Sequence, residues 1–371
     1  MPLIALDARL TRQMSIGMKA YVRELVARLP LQAPDLEFVV YSNAALPHDS
    51  SNTNLVTVTE FAATNGALGE QLLFPRQLNM QRPDLIHYMS VYAPRFSRAA
   101  HVYTIHDLIH LRFPAYFSWK VPLYYRYVAG PVARSARAVI TDAAATVSDL
   151  HDFLRVAPER TRVIPLGVSE KFTLDDSARA ERAARVRGRF GIERPYFLYA
   201  GNHRPHKNLH VLYAAWHDFV KQPCDLVVTE EGPLEPSDRR TDAQWADKSN
   251  GKLYMTGHVN FNDLITLYAG SVASIQPSLY EGFGLSVLEA MASGTPAIVA
   301  QTPALLEVGG DAVASFPPTD AAKLATVMDV MLTDTAEVSR LRAAGRKRVA
   351  TFTWDATARA TAQVYREVLK A

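Results

Sequence analysis

The chain has 371 residues, of which 48% are hydrophobic and 21% charged, a balance typical of a globular protein with two domains of ordinary size. Its net charge is +3, with 18 basic and 14 acidic side chains in residues 1–171 and 22 and 23 in the rest. This excess is too small for a nucleic-acid-binding protein, but it suits a small anionic ligand or an anionic membrane surface. The single cysteine, Cys224, excludes an intrachain disulfide and a thiolate metal cluster.

The sequence also bears on cellular location. Asp7 and Arg9 interrupt the apolar run that a signal peptide would need. A membrane span requires about 18 consecutive apolar residues, and the sequence contains no such run. We therefore expect a cytoplasmic protein, either soluble or in peripheral contact with the inner face of the cytoplasmic membrane.

Short apolar runs alternate along the chain with segments of helical period, such as the one that places Tyr21, Leu25 and Leu29 on one face. This alternation favours an α/β architecture with parallel sheets covered by helices on both faces. The predicted strands are 2–7, 36–42, 55–58, 84–89, 101–107, 138–142 and 162–167 in the first half, and 196–201, 225–230, 253–259, 272–278 and 296–300 in the second.

Two such series indicate two domains, separated by the highly charged segment 169–195, which we interpret as a partly helical connection. The last residues, 353–371, have a helical period and follow the second series. Ligands of open parallel sheets bind beyond the carboxyl ends of the strands. The expected site is therefore the cleft between the two domains.

Residues 277–300, PSLYEGFGLSVLEAMASGTPAIVA, combine a strand end, a glycine-containing loop and a helix start. Gly282 and Gly284 permit close backbone approach, and the unpaired amides of a helix start suit a phosphate. Glu281 and Glu289 lie eight positions apart beside them and can accept hydrogen bonds from sugar or ribose hydroxyls. Two isolated glutamates at this spacing would be ordinary surface charges, but the loop and helix around them favour a binding site.

This string is similar to the signature of retaining glycosyltransferase family four, from which it departs at Ser286, usually proline, and at Ala297, usually valine. The segments VYTIHDLIHLRFPAYF, VIPLGV, YAGNHRPHKNL and FTWDATARATAQVYREVL resemble the family in the same order, so the resemblance covers essentially the whole chain. It implies the GT-B fold, two Rossmann-like domains whose parallel sheets face an interdomain cleft. The implied divisions are an acceptor-binding domain (1–170), a nucleotide-sugar-binding domain (171–352) and a C-terminal helix that packs back on the first domain (353–371).

The resemblance also implies roles for residues of the signature. Glu281 would contact hydroxyls of the transferred sugar, and Glu289 would contact the ribose of the nucleotide. The backbone around Phe283, Gly284 and Leu285 would lie against the sugar and the diphosphate.

The family further places a basic pair on the diphosphate, and Lys207 matches its lysine. The family arginine often directly follows a glycine, where this chain has Asn202, so Arg204 would take its place. Of the other matching positions, His106 would lie near the sugar, and Gly17, in Ser-Ile-Gly where the family commonly has Gly-Ile-Gly, would close over the diphosphate from a loop before a helix. Val259 would meet the base through its backbone.

The stretch HRPHKNLH also raises the possibility of a metal site, since it holds His203, His206 and His210. Arg204 and Lys207 are interleaved with these histidines and would repel a dication. No cysteine or carboxylate lies close in sequence to complete a ligand set, and the chain has no Asp-x-Asp motif. We therefore expect an anion at this loop, where a helix is predicted to begin at the proline, and neither a metal nor another cofactor.

Taken together, the resemblance predicts a retaining hexosyltransferase that moves a sugar from a nucleotide diphosphate sugar to a glycan or polyprenyl-diphosphate-linked acceptor, without a covalent enzyme intermediate. The loop GNHRPHKNL looks most like bacterial mannosyltransferases of surface-polysaccharide and O-antigen assembly, which use GDP-mannose. UDP- or dTDP-sugar donors, and a non-catalytic sugar-nucleotide or glycan-binding subunit, are the alternatives. A glycosidase would have no use for Lys207, and a Rossmann dehydrogenase would need a G-x-G-x-x-G motif, which is absent.

Residues 116–138 mix aromatic side chains with Lys120, Arg126, Arg134 and Arg137. Such a mixture suits an anionic membrane that carries a lipid-linked acceptor. The alternative is an ordinary amphipathic helix that covers the first sheet.

Overall fold

A computed structural model describes residues 1–9, 15–42, 55–59, 71–96, 99–230 and 250–370. The chain divides into two compact units. The first unit comprises Met1–Gly167 and Thr353–Ala371, and the second comprises Val168–Phe352.

The first unit is built on a parallel sheet of seven strands in the order β3-β2-β1-β4-β5-β6-β7. Successive strands are added in opposite directions from β1 and β4, so the switch point of a doubly wound sheet lies between these two. The strands are β1 (Leu3–Asp7), β2 (Glu37–Ser42), β3 (Leu55–Thr59), β4 (Leu85–Tyr88), β5 (His101–Thr104), β6 (Ala138–Thr141) and β7 (Thr161–Val163).

Helices pack on this sheet and bury their apolar faces against it. The strongly amphipathic helix Trp354–Lys370 buries Ala358, Ala362 and Tyr365, and the Tyr365 hydroxyl lies 2.6 Å from Nδ1 of His87 in β4. In the part of the chain that the structure describes, no helix has both the length and the apolar character needed to cross a bilayer. The other helices of this unit are Ile16–Gln32, Phe74–Met80, Ile109–Arg112, Lys120–Tyr124, which continues through a π turn into Gly130–Ser135, and Ala145–Leu154.

The second unit has a parallel sheet of six strands in the order β10-β9-β8-β11-β12-β13, with its switch point between β8 and β11. The strands are β8 (Tyr196–Tyr199), β9 (Asp225–Thr229), β10 (Leu253–Gly257), β11 (Ala273–Gln276), β12 (Ala297–Ala300) and β13 (Val313–Phe316). The helices among the described residues of this unit are Asp176–Phe190, Leu209–Ala214, which continues into a π turn, Phe261–Gly270, Leu285–Ala292, Pro303–Gly309, Ala321–Thr333 and Thr335–Val349.

The predicted α/β class is confirmed, and every predicted strand overlaps an observed one. The prediction for 101–107 is too long, because β5 ends at Thr104 and leaves His106 and Asp107 in the loop that follows. Strand β13 was not predicted, since only Phe316 of its four residues is fully buried and the sequence shows no apolar run.

The interpretation of residues 169–195 as a connection is wrong. Helix Asp176–Phe190 begins at the N-cap Asp175 and packs on helix Phe261–Gly270 within the second unit. Arg189 forms a two-pronged ion pair with Asp263, at 3.1 and 2.7 Å. The sequence is misleading here because Val186 alone in this helix is fully buried, so its charged surface resembles that of a linker.

Candidate active site

The glycine loop of the signature lies between β11 and helix Leu285–Ala292. Gly284 has φ +124°, and a Cβ atom there would come within 2.9 Å of Leu305 Cδ2. Both facts require glycine at this position. No side chain caps the helix that follows. The N–H of Val287 donates to the carbonyl oxygen of Gly284 over 3.0 Å, so the amides of Leu285 and Ser286 are the ones that depend on another acceptor.

Gly284→Ala should lower the free energy of unfolding by about 1–3 kcal/mol, because the added methyl group combines a strained φ with a steric overlap. The matched control is Gly188→Ala, in the last turn of helix Asp176–Phe190, where an added Cβ would meet nothing within 4 Å. That change should be neutral or stabilise by up to about 1 kcal/mol. Thermal unfolding of both variants measures the difference, and equal stability would remove the structural requirement for Gly284.

An ion pair joins the loop after β8 to the loop after β11. Lys207 Nζ donates to Glu281 Oε1 over 2.7 Å, and each side chain is only 13% exposed. Gln276 Nε2 donates to the same oxygen over 2.9 Å. Because β8 and β11 are neighbours at the switch point, their carboxyl ends bring the two loops together. Two of the predicted site residues thus meet where a ligand of this sheet is expected.

The pair is charged at neutral pH. Burial alone would raise the pKa of Glu281, but the charge of Lys207 and hydrogen bonds from Lys207, Ser278 and Gln276 hold the pKa below its ordinary value. The stability that this carboxylate contributes is therefore present above the ordinary pKa of glutamate and is lost as the pH falls through the lowered one.

The loop that carries Lys207 is fixed by Asn208. This residue adopts the left-handed conformation at φ +61° and donates through Nδ2 to the carbonyl oxygens of Pro277, at 2.9 Å, and Pro318, at 2.7 Å. The helix predicted to begin at Pro205 is instead a short 3-10 turn, Pro205–Lys207, and the α-helix begins at Leu209. Sequence analysis missed Asn208, although asparagine is the residue that most readily takes this conformation after glycine.

The structure does not place Arg204 in the buried pair, since its side chain is exposed at the start of the 3-10 turn. The histidines of this stretch have different surroundings. His203 and His206 are buried, with Nε2 of His203 lying 3.1 Å from the carbonyl oxygen of Thr229, whereas His210 is exposed. Among the residues that the structure describes, no three histidine, cysteine or acidic side chains are grouped as a metal ion would require.

Glu289 lies in helix Leu285–Ala292, four residues beyond its first. The hydroxyl of the buried Tyr268 donates to Glu289 Oε2 over 3.2 Å. Burial, together with the neighbouring carboxylate, holds the pKa of Tyr268 well above its ordinary value, so this hydroxyl remains a donor. The half-buried Glu289 is thereby oriented by a side chain of the neighbouring helix Phe261–Gly270.

The remaining predicted residues of the second unit differ in exposure. The Phe283 ring is buried and packs edge-on against Phe352, with 6.0 Å between centroids, so that its backbone is the part suited to a ligand. Leu285 is half-buried and opens the helix. Val259 is half-buried and lies two residues beyond β10, an edge strand of the sheet.

In the first unit His106 forms a buried pair with Asp142. The two residues follow the neighbouring strands β5 and β6, and Nδ1 of His106 lies 2.7 Å from Oδ2 of Asp142. Tyr21 packs edge-on against the imidazole at 4.7 Å between centroids. Sequence analysis missed Asp142; the available signal was a carboxylate directly after a strand that pairs with the strand of His106.

This pair sets the charge of the imidazole. Burial alone would lower the pKa of His106, but the charge and hydrogen bond of Asp142, with a smaller contribution from Asp107, raise it above its ordinary value. Burial also raises the pKa of Asp142, despite the opposing charge and hydrogen bond of His106, so the two groups compete for a proton across their 2.7 Å contact.

Asp142→Asn should lower the pKa of His106, because the charge of Asp142 would no longer oppose the effect of burial. Titration of the histidine Cε1–H resonance by NMR measures the change directly. Asp107→Asn is the control, since Asp107 accepts from the backbone N–H of Ile109 at 3.0 Å and has the smaller effect on His106. An unchanged pKa in Asp142→Asn would show that the pair does not control the imidazole.

Gly17 lies inside helix Ile16–Gln32, in the first turn, and not in the loop before it as the resemblance implied. The N-cap of this helix is Ser15, whose hydroxyl accepts from Met18 N at 3.3 Å. Residues 10–14 of that loop lie outside the described residues. The chain before them ends in a buried ion pair between Arg9 and Asp7, with two contacts of 2.7 Å, and this fixes the carboxyl end of β1.

Comparison with known proteins agrees with these observations. Residues 16–172 match the family described as Glycosyltransferase Family 4, and residues 182–348 match the one described as Glycosyl transferases group 1. The MMP alpha-(1->4)-mannosyltransferase of Mycolicibacterium hassiacum is 31% identical over 68% of this chain. The match spans 60% of the length of that protein. The O-antigen chain mannosyltransferase B of Escherichia coli is 26% identical over 94% of this chain and 96% of its own length.

A solved structure supports the fold. The sucrose-phosphate synthase of Thermosynechococcus elongatus superposes with a TM-score of 0.75 at 22% identity, over the whole of both chains. This likeness and the two parallel sheets confirm the predicted GT-B fold. The two family matches together cover nearly the whole chain, and they show that the protein belongs to glycosyltransferase family four.

Proposed function

We propose that the protein transfers a mannosyl group from GDP-mannose to a hydroxyl of a glycan on a polyprenyl-diphosphate carrier, in the assembly of a bacterial surface polysaccharide such as O-antigen. The observation that carries the proposal is the buried Lys207–Glu281 pair beside the uncapped helix that follows Gly284. The mannose donor is supported by the names of the two relatives, both of which are mannosyltransferases.

The chemistry requires a group that stabilises the departing diphosphate. When the bond between the anomeric carbon and the phosphate oxygen breaks, negative charge collects on the leaving group. Lys207 is the buried cation available to it, and the first-turn amides after Gly284 supply further donors. Charge stabilisation of this kind is the task that other enzymes give to a metal ion.

The other groups orient the reactants. Glu281 holds Lys207 in place and accepts from hydroxyls of the sugar, and Glu289 accepts from the ribose. His106, fixed by Asp142, orients a sugar hydroxyl. The acceptor oxygen attacks the face that the diphosphate leaves, and its proton passes to the departing phosphate oxygen. This sequence retains the anomeric configuration without a covalent enzyme intermediate.

Nucleotide specificity is tested by the thermal stability of the protein with GDP, UDP and dTDP. GDP should raise the melting temperature most, since a ligand that binds only the folded state stabilises it in proportion to its affinity. Stabilisation by UDP or dTDP but not by GDP would overturn the mannose assignment and favour another donor. A non-catalytic subunit would bind a nucleotide but release no nucleoside diphosphate from the sugar donor.

Contact with a membrane is proposed for the exposed side of the helical segment Lys120–Ser135. The inner side of this segment covers the sheet, as expected of an ordinary amphipathic helix, because Tyr125, Ala129 and Val132 belong to the core of the first unit. Several large apolar side chains of this region and the preceding loops are nevertheless between 42% and 72% exposed; this aromatic patch consists of Phe96, Tyr116, Trp119, Leu123 and Tyr127.

Basic side chains lie over the rings of the aromatic patch. The cationic groups of Arg95, Lys120 and Arg126 are 5.4–5.8 Å from the ring centroids of the residues next to them. Arg95 also donates to the carbonyl oxygen of Tyr127 over 2.8 Å, which ties its loop to the helix. Aromatic rings and cations together suit the boundary of an anionic bilayer, where a lipid-linked acceptor would lie.

Sedimentation with vesicles tests this contact. The protein should bind phosphatidylglycerol vesicles and not phosphatidylcholine vesicles, and the double variant Trp119→Ala/Tyr127→Ala should bind about tenfold more weakly. Phe219→Ala, which removes an exposed aromatic ring of the second unit, is the matched control. Equal binding by all three proteins would exclude the aromatic patch as the contact.

A further inference from the structure

Three arginine side chains meet in the second unit. Arg179 comes from helix Asp176–Phe190, and Arg342 and Arg346 come from helix Thr335–Val349. An atom at the Cβ position of Gly294 would lie 3.1 Å from Arg179 Cδ and 3.5 Å from Arg346 Nη2. Arg179 and Arg346 thus lie beside the turn that ends helix Leu285–Ala292. Arg342 precedes Arg346 by one helical turn, and its guanidinium group is close enough for charge repulsion with both Arg179 and Arg346. The three residues are called here the arginine cluster.

The arginine cluster lies at the edge of the sheet opposite to the Lys207–Glu281 pair. Gly294 precedes β12 by three residues, and Arg179 interacts electrostatically with Tyr196, the first residue of β8. The cluster is thus at the amino ends of the strands. Lys207 and Glu281 follow the carboxyl ends of β8 and β11. The arginine cluster and the Lys207–Glu281 pair are therefore two separate places on the second unit.

The positive charge of the cluster is incompletely balanced. Arg346 forms an ion pair with Asp176, and the nearby Asp175 accepts from the backbone N–H of Ala178. Within the described part of the chain, the guanidinium groups of Arg179 and Arg342 form neither a hydrogen bond nor an ion pair, and the Nε atoms of all three arginines are buried without a hydrogen-bond partner.

Such an arrangement is unfavourable unless an anion joins it. Arg179 and Arg342 are half-buried. Burial, together with repulsion from neighbouring guanidinium groups, outweighs the attraction of Asp176 and lowers the pKa of both. A half-buried guanidinium group without an acceptor loses hydration and gains no hydrogen bond in return. Guanidinium groups that lie close together match the tetrahedral oxygens of a phosphate, because each guanidinium group can donate two parallel N–H bonds to these oxygens.

We propose that the arginine cluster binds a phosphate group, carried either by a small phosphorylated metabolite or by a lipid headgroup. This site is separate from the one that holds the nucleotide diphosphate. A doubly charged phosphate would neutralise the charge that Arg179 and Arg342 leave unbalanced and would accept hydrogen bonds from both helices.

Inorganic phosphate is the first probe, titrated calorimetrically at constant ionic strength. Every protein in the series carries Lys207→Ala, so that the nucleotide site contributes little. Phosphate should bind this background, and Arg179→Gln/Arg342→Gln should weaken the affinity about tenfold or more, as expected for the loss of charged hydrogen bonds. Arg187→Gln, on the same helix as Arg179 but paired at the surface with Glu193, should leave the affinity unchanged.

Thermal stability separates a binding site from a structural contact. In phosphate-free buffer Arg342→Gln should be as stable as its parent or more stable, because it removes repulsion, and phosphate should stabilise the parent only. If Arg342→Gln lost the same stability in both buffers, the arginine would be structural and the proposal overturned. Absence of phosphate binding, or binding that survives Arg179→Gln/Arg342→Gln, would also overturn it.

The source of the phosphate group is decided with two further probes. If glycerol 3-phosphate binds with the same dependence on the arginine cluster and phosphatidic acid vesicles do not, the ligand is a soluble metabolite. If vesicle binding is lost in Arg179→Gln/Arg342→Gln but survives Trp119→Ala/Tyr127→Ala, it is a lipid headgroup. Either result supports the site, and failure of both probes would overturn it.

Discussion

Lys207→Ala should slow sugar transfer by about two orders of magnitude, equivalent to about 3 kcal/mol of transition-state stabilisation. The reason is electrostatic: the variant lacks the largely buried cation that, in the proposed function, offsets the charge of the departing diphosphate. It also leaves Glu281 buried without its ion-pair partner, so burial would raise the pKa of this carboxyl group. Steady-state kcat with GDP-mannose as donor is the quantity to measure.

The control for this variant is Lys323→Ala, which removes an exposed lysine from helix Ala321–Thr333 of the same unit. Its turnover should equal that of the parent protein. Circular dichroism of both variants checks that they are folded. Turnover within about twofold of the parent in Lys207→Ala would remove this residue from the mechanism.

Glu281→Gln should nearly abolish transfer, lowering kcat by about two to three orders of magnitude, while the affinity for GDP stays the same or rises. Glutamine preserves the shape of the side chain but removes the charge that holds Lys207 and that, in the proposed function, accepts from sugar hydroxyls. Without its partner at 2.7 Å, Lys207 would be free to pair with the diphosphate alone. Titration of GDP and of GDP-mannose into the variant separates the two effects, since only the sugar's share of the binding energy should be lost.

The matched control is Glu181→Gln, at an exposed ion pair with Arg185 on helix Asp176–Phe190. It should change neither turnover nor affinity. If Glu281→Gln lost its affinity for GDP itself, the carboxylate would belong to the nucleotide and not to the sugar.

Local features of this protein can be predicted from sequence because their causes are local. Apolar runs give the strands, and Gly284 marks the turn because no other residue fits its φ and its contact with Leu305. The loop and helix around Glu281 and Glu289 favour a binding site for these glutamates, and that assignment stays a prediction. The ion pair between Lys207 and Glu281 was not predicted, because it depends on β8 and β11 being neighbours in the sheet.

Other features depend on contacts between distant parts of the chain. Asp142 is 36 residues from His106, and the two side chains meet only because β5 and β6 are neighbours in the folded sheet. The arginine cluster likewise joins two helices more than a hundred residues apart in sequence. Helix Asp176–Phe190 resembles a linker until its partner helix is known, because its stability comes from ion pairs and one buried valine.

The most direct test of sugar transfer uses GDP-mannose labelled with ¹³C at the anomeric carbon and a lipid-linked glycan acceptor. NMR follows the release of GDP and the configuration of the new glycosidic bond in one experiment. We expect GDP to appear only when the acceptor is present, together with a glycoside of the same α configuration as the donor. Release of GDP without acceptor, an inverted product, or no release with any nucleotide sugar would contradict the proposed function.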